Sequence, residues 1–135
     1  MKIVIDSNII IAAYAAHGLC AEIFEVCLND HEIFICDVLI EEVKNGLLKK
    51  IKVPESIVKE IIELIKSRAR IVEPQQLNFQ ICRDPKDVMV IGTAVKSSAD
   101  LILTNDKALL VLKKYKEIKI LNIRQFWELL RTQPF

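Results

Sequence analysis

A surplus of one charge sign is missing from this 135-residue chain: 19 basic and 18 acidic side chains leave a formal net charge of +1. That balance excludes a polyanion binder working through a basic arm or an overall basic field, while leaving nucleic acid neither indicated nor excluded. Histidine is scarce, and His17 and His31 are too poorly spaced beside cysteines to build a zinc site. The four cysteines, Cys20, Cys27, Cys36 and Cys82, contain no C-x-x-C pair, and three lie inside apolar patterns where a reduced thiol packs as a small hydrophobe. No apolar run approaches the roughly 18 residues of a membrane span. The N-terminus opens into a strand pattern without a signal-type segment, so the expectation is a cytoplasmic protein that does not engage a membrane. Repeats and low-complexity segments are absent as well.

What is present is ample apolar material, 52% of residues, for one core and a single domain over residues 1–135. Lys2 to Ile5 is a β-branched run, followed after Asp6 by an alanine-rich helical stretch ending near Ala16. Ala21 to Leu28 reads as a helix, Glu32 to Cys36 as a strand, and Val38 to Leu48 as a helix with Leu39, Val43 and Leu47 inward. Pro54 starts another helix, with Ile57, Ile61, Leu64 and Ile65 on its expected inner face. Ala69 to Glu73 is a strand stopped by Pro74, and residues 74–83 form a long loop. Asp84-Pro85-Lys86-Asp87 begins a helix running to about Ser97: aspartate caps, proline suits the first helical position, and the acid suits the dipole. Strands over Ala99 to Leu103 and Ile118 to Leu121 flank a short helix from Lys107 to about Lys114, and Arg124 to Arg131 closes the chain as an amphipathic helix. Alternating strands and helices predict a three-layer α/β/α sandwich around a central, mainly parallel sheet.

Four acids fall at the ends of these elements: Asp6, Glu42, Asp87 and Asp106. In parallel sheets, ligands gather beyond the carboxyl ends of strands, where Asp6 and Asp106 are expected. Each acid alone has a plainer role: Asp6 and Asp106 as helix caps, Glu42 as a surface glutamate, Asp87 as a dipole partner. Asp84 is best explained as a cap. Together, however, acids delivered to one rim repel, each pair costing roughly 3 kcal/mol at about 5 Å and an effective dielectric of about 20. A hard divalent cation turns that cost into attraction. Asn8 and Thr104 stand two residues from Asp6 and Asp106 and supply neutral groups to orient them. The lysine clusters at 49–52 and 113–116 could contact phosphates, but solvated helix ends are the commoner reading.

The order D-x-N near the N-terminus, a helical glutamate, D-P-x-D before a helix, then strand-T-N-D resembles the PIN-domain nucleases, and within them the VapC-related toxins of prokaryotic toxin-antitoxin systems. The resemblance runs from Lys2 to about Leu130. It implies a parallel sheet between helices and an acidic quartet that binds Mg²⁺ or Mn²⁺ to cleave RNA. Matched motif by motif, the quartet falls on Asp6, Glu42, Asp87 and Asp106, with Glu41 as the rival for the second position. Related sequences often carry a further acid after the third, where this chain has Val88. A small protein antitoxin over the acidic rim and a homodimer are further implications, with the Ile57, Ile61, Leu64 stripe a candidate dimer surface and core packing its commoner use.

Two other classes compete. A phospho-acceptor domain would want D-x-D where the chain has Asp6-Ser7-Asn8, or an acceptor aspartate where the third strand ends at Glu73-Pro74. A non-catalytic PIN-fold module binding RNA or protein would keep the fold and leave the four acids idle.

Overall fold

Three consecutive β-branched residues, Ile3, Val4 and Ile5, give β1 (Lys2–Ile5), whose side chains are buried on both faces as a central parallel strand requires. The structure, a computed structural model, describes residues 1–78 and 82–132. After β1 come α1 (Ser7–Ala15), α2 (Leu19–Asp30), β2 (Glu32–Ile35), α3 (Asp37–Lys49), α4 (Glu55–Arg68) and β3 (Ala69–Ile71). The second half holds α5 (Pro85–Ser97), β4 (Leu101–Leu103), α6 (Lys107–Leu110), β5 (Lys114–Tyr115), β6 (Ile118–Leu121) and α7 (Ile123–Thr132).

The strands form one sheet in the order β3-β2-β1-β4-β6-β5, parallel throughout except for β5. Ile3 lies between Ile33 and Leu101, and Val4 between Phe34 and Ile102. The path from β1 through β2 to β3 moves one way across the sheet; β4 and β6 lie the other way. Right-handed crossovers then put α1 to α4 on one face and α5 on the opposite face, where it packs against β1, β2 and β4. This is the expected helix-flanked, mainly parallel α/β sheet. The reversal falls between β1 and β4, which makes the carboxyl ends of those two strands the topological switch point.

Local chemistry sets most of the boundaries. Asp6 caps α1 by accepting from the Ser7 amide at 2.8 Å, and Asp84 caps α5 by accepting from the Lys86 amide at 2.9 Å, with Pro85 in the first turn. Asn122 and Gln125 exchange side-chain and backbone hydrogen bonds at 2.8 and 2.9 Å, a reciprocal cap that starts α7. The helix α5 is buried almost all round, and its hydroxyls are satisfied internally: Thr93 donates to the Met89 carbonyl and Ser97 to the Thr93 carbonyl, each at 2.8 Å.

Three expectations need correction. The inward face of α4 is Val58, Ile61 and Ile65, whereas Ile57 is 43% and Leu64 38% exposed. Both stripes satisfy helical spacing and they share Ile61 and Ile65, so periodicity alone does not choose between them. The helix expected from Lys107 to about Lys114 stops at Leu110; Lys114 and Tyr115 pair antiparallel with Lys119 and Ile118 in a hairpin turning at Lys116 and Glu117. Lys113 and Lys116 take left-handed backbone angles there, without the glycine or asparagine that ordinarily marks such a turn. Finally, β3 ends at Ile71 rather than Glu73. Within the loop expected over 74–83, residues 79–81 lie outside the described residues. No single described helix is long and apolar enough to cross a membrane.

Candidate active site

The switch point is tied together by backbone first. The Asp6 amide donates to the Leu103 carbonyl at 2.9 Å, which fixes the end of β1 against the end of β4. Asp6 is fully buried, and its carboxylate is saturated with partners. Oδ1 accepts from the Ser7 amide; Oδ2 accepts from the Thr104 hydroxyl at 2.7 Å and from the Asn8 side-chain amide at 3.4 Å. Thr104 is also fully buried, and its Oγ1 accepts from the Asp106 amide at 3.0 Å. Asn8 reaches across as well, its Oδ1 accepting from the Asn105 amide at 3.1 Å. The two neutral groups expected to orient the acids therefore do contact Asp6 and the Asp106 backbone.

Asp106 is half-buried and caps α6 by accepting from the Ala108 amide at 2.9 Å. Asp87, in the first turn of α5, is 1% exposed, and its Oδ1 is buried with no hydrogen-bond partner among the described residues. Its carboxyl is pushed up to about 7, first by burial, then by a hydrogen bond to and the charge of Asp106, then by the charges of Asp84 and Asp6. Asp6, Asp87 and Asp106 thus share one electrostatic neighbourhood.

Glu42 arrives from α3, in the helix's second turn, and turns inward, whereas Glu41 is exposed. Between Glu42 and Asp6 stands a cation, Lys86, that the motifs marking the acids do not specify. Lys86 Nζ lies 3.2 Å from Glu42 Oε2 and 3.8 Å from Asp6 Oδ1. Burial alone would lower the Lys86 pKa; the charges of Asp6 and Glu42 outweigh it and raise the pKa, so the side chain stays ammonium. Its sequence signal was present but faint: a lysine in a helix's first turn opposes the dipole and so wants an acidic partner. Glu42 Oε1 is, like Asp87 Oδ1, a buried oxygen without a hydrogen-bond partner among the described residues.

Beside this cluster, α1 and α3 leave a groove of about 280 Å³ whose walls include Asn8, Asn45, Lys49, Lys50 and Lys86. Lys49 and Lys50, from a cluster whose commoner reading is a solvated helix end, border this groove. The donor set is all oxygen, which fits a hard cation such as Mg²⁺ or Mn²⁺ rather than a thiolate-seeking or imidazole-seeking metal. Two buried carboxylate oxygens without a hydrogen-bond partner among the described residues, and an acid pushed toward neutrality, mark this rim as crowded with negative charge. Among the described residues no three such side chains stand in a ligating array.

A mainly parallel sheet with capping and buried acids converging at its switch point defines an α/β domain with an acidic site, and sequence comparison makes the class specific. The profile of the PIN domain matches residues 2–108, and the chain belongs to that family. A curated relative, the uncharacterized protein MJ1680 of Methanocaldococcus jannaschii, is 29% identical over 130 residues, covering 91% of this chain and 83% of that protein. Among solved structures, PAE2754 from Pyrobaculum aerophilum superposes with a TM-score of 0.67 at 17% identity, over 98% of this chain and 97% of that one. VapBC-1 from nontypeable Haemophilus influenzae matches with a TM-score of 0.61 at 17% identity, over 92% and 99% of the two chains. At those identities the structural likeness is one of fold.

Proposed function

We propose that this chain is a divalent-metal-dependent endoribonuclease, the toxin of a toxin-antitoxin pair, with Asp6, Glu42, Asp87 and Asp106 as its catalytic acids. The observation that carries the reading is Asp87: a carboxylate fully enclosed beside two other acids, with one oxygen unpaired, is a destabilising arrangement that a bound cation corrects. Asp6, Asp87 and Asp106 would hold one ion, and Glu42, with Asp6, would contribute to a second. A bound Mg²⁺ or Mn²⁺ supplies positive charge for the phosphate oxygens and acidifies a water molecule.

The chain's own residues prepare the site. Thr104, Asn8 and the Ser7 amide hold Asp6 in one orientation, so little reorganisation remains for it. Asp87 would hold a cation in the place of the proton that burial and Asp106 favour there. Lys49 and Lys50 line a groove leading to Glu42 and offer phosphate contacts, which supports a polyanionic substrate despite the neutral overall charge. An antitoxin is the partner that accords with the fold shared with VapBC-1, and a homodimer and an RNA substrate accord with the family resemblance.

The test is cleavage of a mixed RNA pool by purified protein in Mn²⁺, Mg²⁺ or EDTA, with Asp6→Asn and Asp106→Asn prepared in parallel and their folding checked by circular dichroism. Asparagine also caps helices, so α6 should survive in the second variant. Metal-dependent cutting lost in both folded variants supports the reading. Full activity in both would sink the site assignment, and absence of cutting by metal-loaded wild type would favour the non-catalytic binding module.

A further inference from the structure

Lysine is a poor choice for the first turn of a helix, where free backbone amides already concentrate partial positive charge. Lys86 nevertheless occupies that turn of α5, with its side chain only 27% exposed. Two carboxylates from separate elements hold it there: Glu42 on α3, and Asp6 at the head of α1. Asp6 has no idle oxygen to offer an incoming cation. Oδ2 is engaged by Thr104 and Asn8, and Oδ1 is shared between the Ser7 amide and Lys86. Of these partners, the backbone amide cannot leave, and Thr104 is fully buried. Lys86 alone sits on a long flexible stem with a route to the groove.

From this geometry we infer that Lys86 is the resident counter-ion of the metal-free site, a positioning residue that holds Asp6 and Glu42 toward each other and gives up both contacts when a divalent ion enters. The inference rests on the metal-dependent reading above and adds to it a competitor built into the chain. Three elements, α1, α3 and α5, meet at one ammonium group, so the same side chain that steadies the metal-free rim opposes loading. A second cation cannot join Lys86 between these carboxylates without like-charge repulsion at close range. Glu42 Oε1 has no hydrogen-bond partner among the described residues, so this carboxylate keeps an oxygen free for a divalent ion while its other oxygen is held by the lysine to be displaced.

The experiment is calorimetric titration of Mn²⁺ into metal-stripped wild type, Lys86→Met and Lys86→Arg, with metal-free melting temperatures measured alongside. Removing a like charge from the site should tighten Mn²⁺ binding in Lys86→Met by about five-fold or more and lower its metal-free melting temperature. Lys86→Arg keeps the charge and should stay within about two-fold of wild type. Tighter binding with lower metal-free stability is not what loss of a merely structural contact produces. Lys86→Gln repeats the comparison if the methionine variant does not fold. Unchanged or weaker Mn²⁺ binding in a folded, charge-free variant overturns the inference while leaving the metal reading standing. A wild type that takes up no Mn²⁺ overturns both.

Discussion

The hydroxyl of Thr104 donates to Asp6 Oδ2 at 2.7 Å and at the same time accepts from the amide of Asp106 at 3.0 Å, so one buried oxygen joins the ends of β1 and β4. Only a side chain that is donor and acceptor at once can do this. Replacing it with the isosteric Thr104→Val leaves a buried carboxylate oxygen and a backbone amide each short of a partner. The expected loss is about 1–3 kcal/mol in denaturant unfolding, with Thr104→Ser close to wild type. Equal stability of the valine and serine variants would show that the bridge contributes nothing.

Repulsion among the acids, taken alone, has any Asp→Asn change at the rim stabilising the metal-free protein, Asp6→Asn and Asp106→Asn included. The geometry separates the acids. Asp87 has an unpaired buried oxygen and three acidic neighbours, whereas Asp6 has hydrogen-bond donors and the Lys86 ammonium around it. Asp87→Asn should therefore raise the metal-free melting temperature by a few degrees, on the order of 1–2 kcal/mol. Asp6→Asn should lower it, because it leaves Lys86 half-paired and places an amide group where Oδ2 or Oδ1 now accepts. Scanning calorimetry in EDTA distinguishes the two; shifts of the same sign would mean that net charge, rather than local pairing, controls this rim.

How much of this was legible in the sequence depends on how far apart the interacting residues lie. The start of β1, the Asp84-Pro85 cap and the acids at strand ends could all be read, since each is a local pattern of β-branching, capping or spacing. Helical spacing also favours Glu42 over its rival Glu41, because adjacent positions point about 100° apart and Leu39 and Val43 mark the inner face; Glu41 is the exposed one. On α4, spacing placed Ile61 and Ile65 inward correctly but could not tell Val58 from the exposed Ile57 and Leu64 at the edges of the stripe. The β5-β6 hairpin escaped notice because lysines, not glycine or asparagine, hold its left-handed angles. Lys86 was invisible in its role because its partners come from two distant elements, and only the fold brings them to one ammonium group.

Acidity gives the next prediction, with its sign fixed by the direction of the shift. Asp87 titrates at about 7 in the folded chain against 3.8 as an ordinary aspartate, so the fold favours its protonated form. Its contribution to stability is complete below the unfolded value and is lost as pH rises through the folded value. Metal-free wild type should lose stability between about pH 4 and pH 7–8 relative to Asp87→Asn, in which this group no longer titrates. Because a cation must displace the shared proton, Mn²⁺ affinity should rise over the same interval and level off above it. A flat difference between wild type and variant across that range would rule out Asp87 as the titrating group.

Gly92 offers a prediction away from the acids. It lies on the buried helix α5 where the chain after β3 crosses, and the Gln75 amide donates to its carbonyl at 3.0 Å. A Cβ built at position 92 would stand 2.5 Å from the Gln75 carbonyl oxygen and 3.1 Å from Pro74 Cβ. The first of these contacts is backbone, which cannot rotate away as a side chain could. Gly92→Ala ordinarily gains about 1 kcal/mol from helix propensity. Here overpacking, typically about 1–3 kcal/mol, should outweigh that gain, giving a net loss in stability and faster amide exchange at Gln75 as the crossing segment is pushed off the helix. A stabilised Gly92→Ala protein with Gln75 still protected would mean that the crossing yields without cost. In that case the close approach at Gly92 would not be what positions the segment leading into Asp84 and Asp87.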